Sequence, residues 1–243
     1  MEPTSPQAPV ARRVRRPAGL VALGALIAFV TLTMVVVSRH GSPFPVDEDL
    51  LSWSVEHSPA WAVAVARGVT VTGTGVIAYA LAALAGVIAG RTARQRILAA
   101  AASMLCLAVG QALRYAVMYA VARPRPPVQD WATHASGWAF PSGHSTTAAI
   151  TAGLLVTAIL VRSPPGRAFI AAVVVCWGVS VGLTRVYLGV HWFSDVVGGW
   201  LFALAWIGLC LCATAGRRPP AVTAPKRPEA LGTDDDRTPP GSR

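Results

Sequence analysis

Charge is scarce in this sequence: Asp, Glu, Lys and Arg make up only 13% of its 243 residues, and Lys226 is its one lysine. Soluble domains carry about 25% charged residues, and stretches such as Ala18 to Val37 leave no polar face for water. A water-soluble core is therefore excluded. Cysteine is sparse too. Cys106, Cys176, Cys210 and Cys212 all fall inside apolar runs with no C-x-x-C pair, which excludes a disulfide framework or a cysteine metal site and leaves them as small hydrophobes. The net charge of +10 invites a nucleic-acid partner, but no aromatic residues interleave the basic clusters and no nucleic-acid motif is present. Nucleic acid is excluded, and the clusters, lying beside apolar blocks, are better explained by membrane topology.

What is plentiful is apolar sequence, 53% of the chain, in blocks of about 20 residues, the length at which a helix crosses a bilayer. The predicted fold class is all-α: a polytopic membrane protein with six transmembrane helices in a bundle. The Pro- and Arg-rich segment 1–17 reads as a disordered cytoplasmic N-terminus, residues 18–215 as the membrane domain, and 216–243 as a disordered cytoplasmic tail with Asp234-Asp235-Asp236. Span one is Ala18 to Ser38. Its apolar stretch is longer than a signal-peptide core and no small-residue cleavage pattern follows before Ser38, so it reads as uncleaved. Gly41 to Gly73 holds four acids, Asp47, Glu48, Asp49 and Glu56, then Trp53 and Trp61. It predicts an outer loop plus a helix at the bilayer surface, with both tryptophans at headgroup level. Thr74 to Gly90 is span two, rich in Gly and Ala for close packing. Ile97 to Val121, His144 to Val161, Ala168 to Leu183 and Asp195 to Ala215 are spans three to six.

Arginines precede span one, fill the turns at Arg91, Arg94 and Arg96 and at Arg162 and Arg167, and follow span six. By the positive-inside rule those segments and both termini are cytoplasmic, in a cell (inner or plasma) membrane. Three polar islands then face the extracytoplasmic side: Arg123 to Pro127, Pro141 to His144, and Thr184-Arg185 with His191 and Asp195. Arginines set against the topology of a membrane protein, beside histidines and an aspartate, mark a functional site.

Each island carries a distinct chemical part. His191 and Asp195 are four apart, so on a helix they share a face. The carboxylate then fixes one imidazole nitrogen and leaves the other free to attack. Arg185 reaches the same point from the preceding helix end. Ser142 and Gly143 stand at a helix N-terminus, a ready anion site, and Gly143 admits an oxyanion close to the backbone. His144 beside them is placed to protonate a leaving oxygen. Arg123 and Arg125, alternating with prolines, are guanidinium groups on a stiffened backbone. A zinc or iron site on His144, His191 and Asp195 is the rival chemistry, opposed by the surrounding arginines. His134 reads as a solvated loop residue, Asp130 as the partner of a nearby arginine, and Trp192 as a residue that could flank substrate.

Arg125-Pro126, then Pro141-Ser142-Gly143-His144, then Thr184-Arg185-x5-His191-x3-Asp195 resembles the three-part signature K-x6-R-P, P-S-G-H and S-R-x5-H-x3-D. That is the signature of the type 2 phosphatidic acid phosphatase superfamily, which also includes vanadium haloperoxidases. The resemblance implies a membrane lipid phosphatase without metal or other cofactor, in which His191 becomes the phosphohistidine, Asp195 orients it and His144 protonates the leaving group. Arg125, Arg185, Ser142 and Gly143 would hold the phosphoryl oxygens. Undecaprenyl diphosphate, phosphatidic acid and phosphatidylglycerol phosphate are the implied lipid substrates, with a membrane phosphotransferase or a catalytically weak lipid-phosphate-binding homologue as alternatives. Two positions depart from the signature. Thr184 keeps the hydroxyl of the usual serine. The lysine expected seven residues before Arg125 is Met118, and Arg114, one turn earlier, or Arg123, beside Arg125, is left to supply the cation.

Overall fold

The computed structural model describes residues 8–215, with side chains over 19–214. Among the described residues the chain forms eight α-helices: α1 (Ala8–Ser38), α2 (Pro45–Glu56), α3 (Ala60–Thr72), α4 (Gly75–Ala89), α5 (Ala93–Val121), α6 (Gly143–Arg162), α7 (Arg167–Tyr187) and α8 (Phe193–Ala215). No strand occurs among the described residues. Segments Gly19–Ser38, Ala93–Val121, Gly143–Arg162, Arg167–Tyr187 and Phe193–Thr214 are each long and apolar enough to cross a membrane, and α3 with α4 passes the same test as one span bent by 50°.

Three expectations change here. Span two is not α4 alone: its 15 residues rise only about 22 Å, short of the roughly 30 Å hydrocarbon core. Helix α3 supplies the missing length, and the break falls at Gly73 and Thr74. The segment before it holds two helices, not one surface helix, because Pro45 at the first helical position and Asp47 in the first turn start α2 separately. At the N-terminus α1 begins at Ala8, where the sequence predicts an unfolded segment; arginine and alanine are good helix formers and extend a helix nucleated by the apolar run. Residues 1–7 and 216–243, expected to be disordered, lie outside the described residues.

In lipid the pull between helices comes from close packing rather than from water exclusion, so small residues decide which helices meet. Helix α6 is central, packed on α4, α7 and α8, while α1 lies along α8 and α4 along α5. Ala78 and Ala82 of α4, Leu107 of α5, Ile150 of α6 and Ala203 of α8 form one buried cluster. Between α4 and α5 the approach is closest at Gly86, where a Cβ would run into the backbone of Ala99 and Ala100.

The spans alternate in direction. The turns carrying Arg91 to Arg96 and Arg162 to Arg167 therefore lie at one end of the bundle, while the end of α5, the start of α6, the end of α7 and the start of α8 meet at the other. All three polar islands are at that second end.

Gly86→Ala should drive α4 off α5 and cost about 1–3 kcal/mol. It should appear as a lower thermal unfolding midpoint in detergent; an unchanged midpoint would contradict the close α4–α5 contact.

Candidate active site

A cavity of about 550 Å³ opens among these helix ends, and its polar lining includes Arg114, Arg125, His144, Arg185, His191 and the Gly143 backbone. Tyr115, Met118, Tyr119, His134, Ser136, Gln111 and Thr147 complete much of the remaining wall.

His191 sits in the turn between α7 and α8, not on the helix face that its spacing to Asp195 predicts. The two still meet. Asp195 is the third residue of α8, and its Oδ2 accepts the Trp192 amide at 2.9 Å and faces His191 Nδ1 at 3.4 Å. This is a capping arrangement, in which an acid in the first turn reaches back to the amide preceding the helix. The opposite nitrogen, Nε2, accepts from Arg125 Nη1 at 2.9 Å. Arg125 can only donate, so Nε2 holds a lone pair and the ring proton belongs on Nδ1, toward the carboxylate. Burial pushes the His191 imidazolium well below the ordinary histidine range; Arg125 and Arg185 add to this and the Ala139 backbone opposes it. The ring is neutral at physiological pH, with its lone pair directed into the cavity.

The cations around it differ in how far they are already committed. Arg125 Nε donates to Gly137 O at 2.9 Å, Nη2 to Ser136 O at 2.8 Å and Trp138 O at 3.2 Å, and Nη1 to Val190 O at 2.7 Å as well as to His191. It ties the loop after α5 to the His191 turn. Arg185 is 3% exposed, donates to Thr70 Oγ1 at 3.2 Å, and has a buried Nε with no partner. Arg114 Nη1 points at Met118 Sδ at 3.2 Å, a weak acceptor, its Nε reaches Gln111 Oε1 at 3.3 Å, and its guanidinium lies 3.6 Å from the Tyr115 ring centroid. Gln111 in turn donates to Thr147 Oγ1. Gly143 leaves room for the Arg114 guanidinium, which a Cβ there would approach to 3.3 Å.

Arg123 lies elsewhere. It has no exposed surface and does not line the cavity. Its Nη1 donates to Asp195 Oδ1 at 2.6 Å and Ser194 Oγ at 2.7 Å, its Nη2 to Asp47 Oδ2 at 3.0 Å and Ser42 O at 3.3 Å, and its Nε to Gly41 O at 3.1 Å. All of its donors are occupied. The expectation that Arg123 might contact phosphate is corrected: two buried carboxylates draw it behind the site. Ser142 is buried too, its Oγ accepting from Ser145 Oγ at 2.9 Å, so only the α6 N-terminal backbone, not the Ser142 side chain, borders the cavity. Thr184 donates to Val181 O at 2.6 Å in its own helix, out of the cavity lining.

Two smaller expectations also move. Trp192 does not flank the cavity; it is buried, with Nε1 donating to Pro124 O at 3.0 Å, and so anchors the arginine-proline loop. Asp130 makes no ion pair among the described residues, where the salt bridges involve only Arg123, His191, Asp47 and Asp195. His134 is the exposed loop residue that the sequence predicts, and it also contributes to the cavity lining. Asp47 was readable only as one acid of four. The signal that distinguishes it is its place two residues after Pro45, the third position of a helix, where an acid caps the start.

The model of the PAP2 superfamily matches residues 97–219. Phosphatidylglycerophosphatase B of Bacillus subtilis is 38% identical over 76 residues, 29% of this chain and 36% of that protein. Lipid A 1-phosphatase of Rhizobium johnstonii is 42% identical over 77 residues, 31% of this chain and 28% of that protein. The chain thus aligns with about a third of the length of these curated relatives. The crystal structure of a transmembrane PAP2 type phosphatidylglycerolphosphate phosphatase from Bacillus subtilis superposes with a TM-score of 0.62 at 23% identity, covering 79% of this chain and 94% of that one. It shares the fold.

The lowered His191 value has a direct readout. In ¹⁵N NMR of the detergent-solubilised protein, His191 should remain neutral and Nδ1-protonated down through pH 6; a midpoint at or above pH 6.5 would contradict the buried, cation-flanked environment.

Proposed function

Since this chain belongs to the PAP2 superfamily, we propose that it hydrolyses a phosphate monoester or diphosphate on a membrane lipid through a phosphohistidine at His191. The observation that carries the proposal is the two-sided engagement of His191: a carboxylate at Nδ1, and at Nε2 an arginine that an incoming phosphate can draw away. Asp195 acts as orienter, His144 as acid, and Arg125, Arg185, Arg114 and the Gly143 backbone as the phosphate cradle.

A phosphoryl oxygen takes over Arg125 Nη1 and frees Nε2. The lone pair then attacks phosphorus as the bond to the lipid oxygen breaks, and protonated His144 gives its proton to that oxygen. The cations stabilise charge where it builds up on the equatorial oxygens. Water next attacks the phosphohistidine, the P–N bond breaks, and His144, now a base, takes the water proton. The sum is lipid phosphate plus water giving lipid alcohol plus inorganic phosphate.

The reaction as proposed runs without metal. What supports this is the donor set: arginines surround the two histidines, and the described residues hold no group of three or more His, Cys, Asp or Glu able to bind an ion. The lipid substrate class is supported by the cavity's place at the end of a membrane bundle and by the names of the relatives. Tyr115 and Tyr119, 50% and 67% exposed on α5, lie where an acyl or prenyl chain would leave the cavity. The arginine-rich turns at the opposite end of the bundle support a site on the extracytoplasmic side and both termini in the cytoplasm.

Arg114 takes the place of the family lysine. Its guanidinium lies against the side chain of Met118, the position where that lysine would stand, one turn further along α5.

The test is phosphate release by purified protein in detergent with excess chelator, on phosphatidylglycerol phosphate, phosphatidic acid, undecaprenyl diphosphate and lipid A 1-phosphate. Chelator-resistant release that falls roughly 10⁴-fold or more in His191→Ala is expected; release abolished by chelator would overturn the metal-free mechanism. Arg114→Ala should lower kcat/KM by about 30–100-fold, the scale of a charge-assisted phosphate contact. Adding Met118→Lys to that variant should restore most of the loss, and no recovery would overturn the assignment of Arg114.

A further inference from the structure

Asp47 is a carboxylate with no exposed surface, on a helix that contributes nothing to the cavity wall. We propose that Asp47 and Arg123 are positioning residues for phosphoryl transfer, the far half of a buried relay running His191, Asp195, Arg123, Asp47. The proposal rests on His191 being the nucleophile.

Geometry supports the orienting role. Asp195 has two oxygens with two different duties: Oδ1 is held by Arg123 at 2.6 Å, and Oδ2 serves the Trp192 amide and His191. With Oδ1 fixed the carboxylate cannot swing, so Oδ2 stays on Nδ1. Arg123 is itself fixed by Asp47 Oδ2 at 3.0 Å. Asp47 then grips the α8 start a second time, its Oδ1 accepting the Ser194 amide at 2.8 Å and its Oδ2 the Ser194 hydroxyl at 2.6 Å. Ser194 directly precedes Asp195. Asp47 thus holds Asp195 both through the chain and through the guanidinium.

The two aspartates occupy equivalent places. Each is the third residue of its helix and accepts the amide preceding that helix, Phe44 N for Asp47 at 3.0 Å and Trp192 N for Asp195 at 2.9 Å. Two carboxylates against one guanidinium leave the relay with one net negative charge while His191 is neutral. That charge is balanced when the imidazole turns cationic on bonding to phosphorus with Nδ1 still protonated. Nothing in the buried relay screens these charges as water would, so the balance bears directly on the step. Removing the Asp47 charge would make the relay neutral beforehand, and Arg123 would then draw on Asp195 alone and weaken its hold on Nδ1.

A helix-docking role alone predicts lost stability but intact turnover, which separates the two accounts. Asp47→Asn keeps the size and one acceptor and deletes the charge. In the full chain in detergent, its kcat should fall about 10–100-fold, the scale of groups one step behind the reacting residue, with KM within about twofold. The Nδ1 proton resonance of His191 should move upfield as that hydrogen bond weakens. Ser194→Ala, which keeps every charge and deletes only the bridging hydroxyl, is the second variant should Asp47→Asn not fold; a loss of roughly threefold to tenfold in kcat at constant KM is expected, since one hydrogen bond is removed. Glu48→Gln, exposed on the same turn of α2, should leave both constants unchanged. Wild-type kcat in a folded Asp47→Asn or Ser194→Ala protein, or a rise in KM with kcat kept, would overturn the relay while His191→Ala still abolished turnover. An inactive wild type, or an active His191→Ala, would overturn the nucleophile assignment and the relay with it.

Discussion

A guanidinium sealed between two carboxylates holds this molecule's functional end together. Arg123, Asp47 and Asp195 are all fully buried, and charges in that position persist only when each lone pair and proton finds a partner. Here they do, and the partners come from the turn after α1, the first turn of α2, the loop after α5 and the first turn of α8. Removing the guanidinium of such a set leaves buried charge uncompensated, at a cost of about 3–5 kcal/mol. Distant parts of the chain are therefore fixed to one another at the point where the catalytic constellation must be held.

The remaining arginines divide by how much of their donor capacity is free. Arg123 has none left. Arg125 is committed to four backbone carbonyls and to the His191 lone pair, the one contact that a phosphate oxygen can replace without undoing the loop. Arg185, whose recorded side-chain bond is Nη1 to Thr70 Oγ1, and Arg114, resting on a thioether and an aromatic face, line the cavity with much of their donor capacity unused. Unsatisfied buried donors are costly where no ligand binds, and here they converge on one cavity. The site is organised for an anion before the anion arrives.

Much of this was legible in the sequence, for physical reasons that also mark its limits. The long spans follow from bilayer thickness, so the helices could be placed from spacing, and the P-S-G-H and R-x5-H-x3-D segments, singled out by their polar residues and by resemblance, meet at one end of the bundle. Which arginine faces the phosphate was not legible. Arg123 and Arg125 are two residues apart in a proline-stiffened segment, and only the position of Asp47, more than seventy residues earlier, turns one inward to a salt bridge and leaves the other at His191. The bend between α3 and α4 was hidden because α4 alone reads as a short span and α3 as part of the segment before it. His191 was expected on a helix face, yet reaches Asp195 from a turn, since capping brings an acid back to the residues before its helix as readily as helical periodicity aligns it.

The central claim is that His191 Nε2 bonds to phosphorus, and trapping that bond tests it most directly. Protein mixed with a ³²P-labelled lipid phosphate, quenched within milliseconds in alkaline detergent and digested, should yield label that is stable to base and labile to acid, mapped by mass spectrometry to the peptide carrying His191. Label on any other residue, or full turnover of substrate with no trapped phosphoprotein at any time point, would contradict the account.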